Sequence, residues 1–199
     1  MEYNLSEENG ATLGHDHGIY ISGTNIIVRG NVFRYNLAWG IQVYAGPGEV
    51  QNAHIYNNLV YGNKGGLTIW SVSGWTNFVY GNTILSTNYC LVSDYGYLYC
   101  SNNILAVVDS WHPIIAAEDG STVINDYNLA NKAFESPPAG PHDVITNYLG
   151  FVNTNAGLYW LKSDSPARGK ALSAACGPVD FFGKAQLSVS DIGAFQYSD

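Results

Sequence analysis

Charge is scarce in this chain of 199 residues: Asp, Glu, Lys and Arg together make up 12% of it, and only eight residues are Lys or Arg. Those eight are scattered, and the formal net charge is -8, so an extended polyanion such as nucleic acid would be repelled. Cysteine is scarce too. Cys90, Cys100 and Cys176 form an odd set without metal-ligand spacing, which excludes a dense disulfide framework and points to buried free thiols. No run approaches the ~18 apolar residues a membrane-spanning helix requires, and MEYNLSEENG has neither a basic start nor an apolar core of the kind a leader carries. The chain as given reads as soluble, with no membrane partner. No stretch of it shows helical periodicity.

What is abundant is glycine, 22 residues, and aromatic surface, with 15 Tyr and 5 Trp. That combination indicates a turn-rich β protein, and the length suits a single domain. The chain also repeats. NIIVRGNVFRYNLAWGIQVY (25–44), AHIYNNLVYGNKGGLTIW (53–70) and NFVYGNTILSTNYCLV (77–92) share a plan of short strand, Asn, apolar pair, polar corner and second short strand. Asn31, Asn58, Asn82, Asn103 and Asn128 anchor the plan at spacings of 27, 24, 21 and 25 residues. A leucine-rich repeat of similar length needs a regular Leu framework that is missing. Units built of short strands bury their apolar faces by winding into a coil, in which each turn pairs in parallel with the next and like residues stack about 4.8 Å apart. Stacked Asn side chains then form an amide ladder, and Asn tolerates the left-handed backbone of a sharp corner.

The segments HGIYISG, IIVRGNVF, WGIQVY, HIYNNLVYGN and INDYNL, covering roughly residues 15 to 130, resemble the right-handed parallel β-helix repeat family. That family includes secreted bacterial polysaccharide lyases, polygalacturonases and epimerases. The resemblance implies an all-β, single-stranded right-handed parallel β-helix of about five to six coils over residues 1–130, with a final coil and C-terminal cap over 131–199 in the same domain. It also implies secretion and a polysaccharide partner. SDSPARGKA, DFFG and DIGAFQY resemble the closing segment of such proteins, where Asp180 and Asp191 are turn formers rather than catalytic carboxylates. The cap is expected to cover the open end of the stack, because an unpaired edge invites aggregation.

Strand alternation assigns direction. Ile19, Ile21, Ile41, Val43, Leu67 and Ile69 face the core, and Tyr20, Gln42, Tyr44, Thr68 and Trp70 face out. Exposed Tyr and Trp on adjacent coils form an apolar surface suited to the C–H faces of pyranose rings. Trp39, Lys64 and His112 precede these strands and Trp75 follows, as further substrate contacts. Hydrolysis of a glycosidic bond takes one protonated and one ionised carboxyl group, for which Asp16, Glu49, Asp94, Glu118 and Asp119 are the candidates. A lyase or epimerase needs a base beside cationic groups or Ca²⁺. With Arg29 and Arg34 the only cations besides Lys64 before residue 132, that activity would depend on calcium, whereas a hydrolase of a neutral or weakly charged glycan needs no cofactor. A binding β-helix without catalysis is the third alternative.

The stretch GHDHGIYISG (14–23) brings two histidines onto one side of an extended segment. A metal there would need a third ligand from another coil, so no metal site is assigned. His17 is kept as a catalytic candidate in what is first a corner of the coil. Nothing before residue 15 reads as a polar cap, so the first coil is expected either to pair two copies as a homodimer or to continue from an upstream part of a longer chain.

Overall fold

The structure, a computed structural model, describes residues 1–11, 14–44, 50–108, 111–173, 177–186 and 188–197. Five coils follow one another. The first holds β1 (Leu5–Glu7), β2 (Ile19–Ile21) and β3 (Ile27–Arg29), and the second β4 (Val32–Arg34), β5 (Trp39–Val43) and β6 (His54–Tyr56). The third holds β7 (Leu59–Asn63), β8 (Gly65–Trp70) and β9 (Thr76–Tyr80). The fourth holds β10 (Thr83–Ser86), β11 (Leu91–Asp94) and β12 (Tyr97–Ser101), and the fifth β13 (Ile104–Val107), β14 (Ile115–Glu118) and β15 (Thr122–Asp126). Each coil gives one strand to each of three parallel sheets: the first sheet runs β1-β4-β7-β10-β13, the second β2-β5-β8-β11-β14 and the third β3-β6-β9-β12-β15. The first sheet continues into β16 (Leu129–Ala130) and β17 (Val144–Ile145).

Register makes the core. Ile19, Ile41, Leu67, Leu91 and Ile115 pair in one row of the second sheet, and Phe33, Val60, Ile84 and Leu105 in one row of the first. Their side chains meet inside the coil with Val28, Ile55, Val79 and Leu98 of the third sheet. Cys90 and Cys100 lie in this core as free thiols, and burial pushes the Cys90 thiol up to about 12.

The anchoring asparagines form the expected ladder. The Nδ2 of Asn31 donates to Oδ1 of Asn58, Asn58 to Asn82, Asn82 to Asn103 and Asn103 to Asn128, each at 3.0 Å. Every acceptor oxygen also takes the backbone N–H of the asparagine before it in the ladder. Asn4 extends the row at one end, and at the other Asn128 donates to Asp143 Oδ1 at 3.1 Å. All donors point the same way, so the bonds polarise one another and the row closes on a carboxylate, the strongest acceptor available. The left-handed residue of each corner is not the ladder asparagine but the one before it: Gly30, Asn57, Gly81, Asn102 and Tyr127 have φ between 54° and 63°. A second row, Asn9–Asn36–Asn63, marks the corner between the first and second sheets.

The last third of the chain departs from the expected cover. Residues 131–136 begin a further coil, with Phe134 in the main core and Ser136 bridged to Ala116, so they close the end of the stack. The remainder turns along the side instead. The antiparallel hairpin β18 (Phe151–Asn153) and β19 (Leu158–Leu161) and the segment around Ile192–Phe195 pack on Leu59, Tyr61, Ile104 and Leu129, which are the outward residues of the first sheet. Gly193 N–H donates to Asn102 O, and Ala194 N–H to Thr83 Oγ1. The physical reason is in β7 and β13: these strands are apolar on both faces and need a second layer. Asp180 accepts the N–H groups of Phe182, Lys184 and Gln196, and Asp191 those of Gly169 and Tyr197, so both are turn formers.

Candidate functional site on the second sheet

With the first sheet covered by the C-terminal segment, the outer face of the second sheet shows its even-numbered residues. Tyr20, Gln42, Thr68, Val92 and Ala116 stand in one row, and Trp70, Asp94 and Glu118 in the next. Tyr44 follows the last residue of β5, one position beyond the Val43–Ile69 pair, and so begins the second row. The rings touch in sequence. Tyr20 and Tyr44 lie 5.7 Å apart at 62°, and Tyr44 and Trp70 lie 4.8 Å apart at 69°. Thr68, directed outward like its neighbours, is nonetheless buried.

The aromatic row runs into carboxylates. Asp94 is 2% exposed, and its Oδ2 has no hydrogen-bond partner. Burial, with Glu118 and Asp119 adding like charge, raises its pKa to about 6. An orphaned, buried carboxyl oxygen beside two further acids is costly to ionise, and such groups cluster where proton transfer is carried out. Glu118 is in register on the next coil and exposed. Asp119 and Gly120, at φ 47° and 80°, form the turn that Ser121 N–H closes onto Glu118 O at 2.8 Å, so Asp119 shapes the corner and contributes charge.

A second aromatic group stands at the edge where the strands of this sheet begin. Trp39 stacks on Tyr89 at 6.3 Å, and Tyr89 meets His112 edge-on at 4.6 Å. A Cβ at position 65 would come within 2.3 Å of the Trp39 ring, which is why glycine stands there. Lys64 borders the adjoining cleft of about 220 Å³, with Asn88 opposite. Trp75 is exposed in the turn after β8.

His17 is the corner residue that the sequence suggests. Its Nδ1 accepts the Trp39 N–H at 3.2 Å, and Gly18 N–H donates to Trp39 O. Desolvation, then His15, lowers its pKa, while Asp16 opposes the shift. The ring lies 6.0 Å from Tyr20, at the head of the aromatic row and away from Asp94. Asp16 accepts the Ala11 N–H at 2.7 Å, a structural use. Glu49 lies outside the described residues.

The sequence reading overlooked the third sheet, where Ile27, His54, Phe78, Tyr99 and Ile124 form an outward row. The signal is the alternation in TNFVY and YLYCS, which places Phe78 and Tyr99 outward by the same parity that finds Trp70. Its rings are stacked: His54 on Phe78 at 17°, Phe78 on Tyr99 at 15°, and Tyr56 on Tyr80 at 7° in the neighbouring row.

A family model described as the right handed beta helix region matches residues 1–84. The fold is a right-handed parallel β-helix. No curated protein and no solved structure matches the chain. The match ends at residue 84, in the first strand of the fourth coil and before Asp94 and Glu118, so it supports the architecture and says nothing of those carboxylates. No helix among the described residues is long and apolar enough to cross a membrane.

Proposed function

We propose that this β-helix acts on a polysaccharide, as a glycoside hydrolase of a neutral or weakly charged glycan whose site is the outer face of the second sheet. The observation that carries the reading is Asp94, a carboxyl group kept protonated up to about pH 6 at the end of the aromatic row. Tyr20, Tyr44 and Trp70 offer ring faces to successive sugars, aided by Gln42, and Asp94 donates a proton to the leaving glycosidic oxygen. Glu118, on the adjacent coil, acts as the second carboxylate, on water or on the sugar. The balance is that of hydrolysis: the C–O bond to the leaving group breaks, water supplies the new C–O bond, and the water's proton goes to Glu118 when that residue activates the water, with Asp94 reprotonated from solvent, or to Asp94 itself when Glu118 has attacked the sugar. The reaction needs no metal or organic cofactor. A polysaccharide substrate accords with a protein that works outside the cell.

The test is reducing-sugar release over a panel of polysaccharides, read together with the absorbance of unsaturated uronates at about 235 nm. Release without absorbance is expected, and it should fall as pH rises through about 6, where Asp94 loses its proton. Release with absorbance would instead identify a lyase. Binding without release, unchanged in Asp94→Asn, would favour a glycan-binding β-helix, the reading that the exposed aromatic row supports by itself.

A further inference from the structure

The chain carries eight Lys and Arg residues, and four of them, Lys162, Arg168, Lys170 and Lys184, fall between residues 162 and 184. Two of these four, Lys162 and Lys184, border a cleft of about 710 Å³ in the C-terminal segment, within the size range of small-ligand sites. Trp160 and Phe182 line the same cleft, 46% and 56% exposed, with ring centroids 6.0 Å apart at 69°.

The backbone presents Trp160, Lys162, Phe182 and Lys184 along this cleft. Alternation in β19 turns Tyr159 and Leu161 into the layer over the first sheet and leaves Trp160 outside. Lys162 follows, its N–H donating to Gly150 O at 2.8 Å. On the other wall, buried Asp180 accepts the N–H groups of Phe182 and Lys184, both at 2.9 Å, so one carboxylate holds the aromatic ring and the ammonium on a single turn. Phe181 and Phe195 brace the Phe182 ring from behind. Of the acids in this segment, Asp191 accepts backbone N–H groups, and Asp164, on the lining of the cleft itself, accepts the Tyr148 hydroxyl at 2.8 Å and sets one negative charge against the cations. Tyr197, on the same lining, carries Arg168 over its ring at 3.9 Å, a third cation close by.

We propose that this cleft binds a carboxylate-bearing sugar residue, with Trp160 and Phe182 holding the ring and Lys162 and Lys184 its carboxylate. An exposed aromatic pair suits the apolar face of a pyranose, and two ammonium groups suit the one substituent that a neutral sugar lacks. The protein as a whole, at a net charge of -8, repels anions, so a uronate binds where cations are concentrated and nowhere near Asp94, Glu118 and Asp119. The site is independent of the hydrolytic reading.

Calorimetric titration of the whole protein with a galacturonate trimer, and with the same trimer as its methyl ester, tests it. The acid should bind and the ester at least roughly tenfold more weakly. The double variant K162Q/K184Q, altered at exposed positions, should lose roughly tenfold or more for the acid and little for the ester, and added salt should weaken acid binding in the parent protein. Trp160→Ala should weaken both ligands. Thermal midpoints matching the parent protein establish that the variants are folded. Equal affinity for acid and ester, undiminished acid binding by K162Q/K184Q, or no binding of the trimer would each overturn the assignment.

Discussion

Two sheets of this β-helix carry aromatic rows at the same strand spacing, and they arrange their rings differently. On the third sheet His54, Phe78 and Tyr99 lie nearly parallel, each ring against the next, and with Tyr80 and Ile124 they border an open cleft of about 500 Å³. On the second sheet Tyr20, Tyr44 and Trp70 meet at 62° and 69°, which leaves faces uncovered. Parallel stacking commits ring faces to one another, whereas tilted contacts leave them open. The rows also end differently. The second sheet runs into Asp94, unpartnered at Oδ2 and titrating near 6, and the third into Asp126, whose carboxylate is engaged by His142 at 2.8 Å and so held below the usual range despite some desolvation. On the proposed reading, ring angle and the state of the neighbouring acid distinguish the two rows.

The largest effect expected is at Asp94. Asp94→Asn should lower hydrolysis by roughly a hundredfold or more, the usual contribution of a positioned general acid. It should also stabilise the protein. Asp94 has a folded pKa above its unfolded value of 3.8, so its contribution is neutral at low pH, grows unfavourable as pH rises from that value towards about 6, and is fully unfavourable above it. The variant should gain of order 1–3 kcal/mol at pH 8 and nothing near pH 3, measured by denaturant unfolding at both values. Loss of activity with no pH-dependent gain would remove the contrast between the two acids.

Next comes the register on which both rows depend. Asn82→Ala leaves the buried N–H and Nδ2–H groups of Asn58 without their acceptor and should cost about 3 kcal/mol, read as a lowered midpoint of unfolding. Phe78→Ala should cost about 2 kcal/mol, through lost stacking and burial, and leave glycan binding intact. Trp70→Ala should do the reverse: a loss of about 1 kcal/mol in glycan binding, with stability changed by less than about 0.5 kcal/mol. If Phe78→Ala were the variant that lost binding, the two rows would exchange roles.

Much of this architecture is legible in the sequence, because Asn31, Asn58, Asn82, Asn103 and Asn128 repeat with their strands and because parity separates Leu67 and Ile69 from Thr68 and Trp70. Asp94, Glu118 and Trp70 could be named as candidates for the same reason. Their convergence could not be read, since it depends on Val43 pairing with Ile69 and Ser93 with Ala117 across coils of unequal length. Asp143 as the last rung was invisible, lying in a loop outside the repeat. So was the course of the C-terminal segment: Leu59 and Ile104 could have been recognised as outward and apolar, yet nothing local says which later residues cover them. His17 shows a different limit, since one hydrogen bond from Trp39 N–H engages the nitrogen that would otherwise be free for a ligand or a proton.

The amide ladder holds one geometry while the chain between its rungs does not. Asn4 to Asn31 and Asn31 to Asn58 are 27 residues apart, Asn82 to Asn103 only 21, and Asn128 to Asp143 15, yet the side-chain bonds span just 3.0 to 3.1 Å. Axial rise and contour length are thus decoupled. A coil can gain or lose residues in its corners without disturbing its neighbours, because the cost of a longer loop grows only logarithmically. Whatever recognises a ligand can therefore be revised in the corners, coil by coil, while a single row of asparagines keeps the pitch.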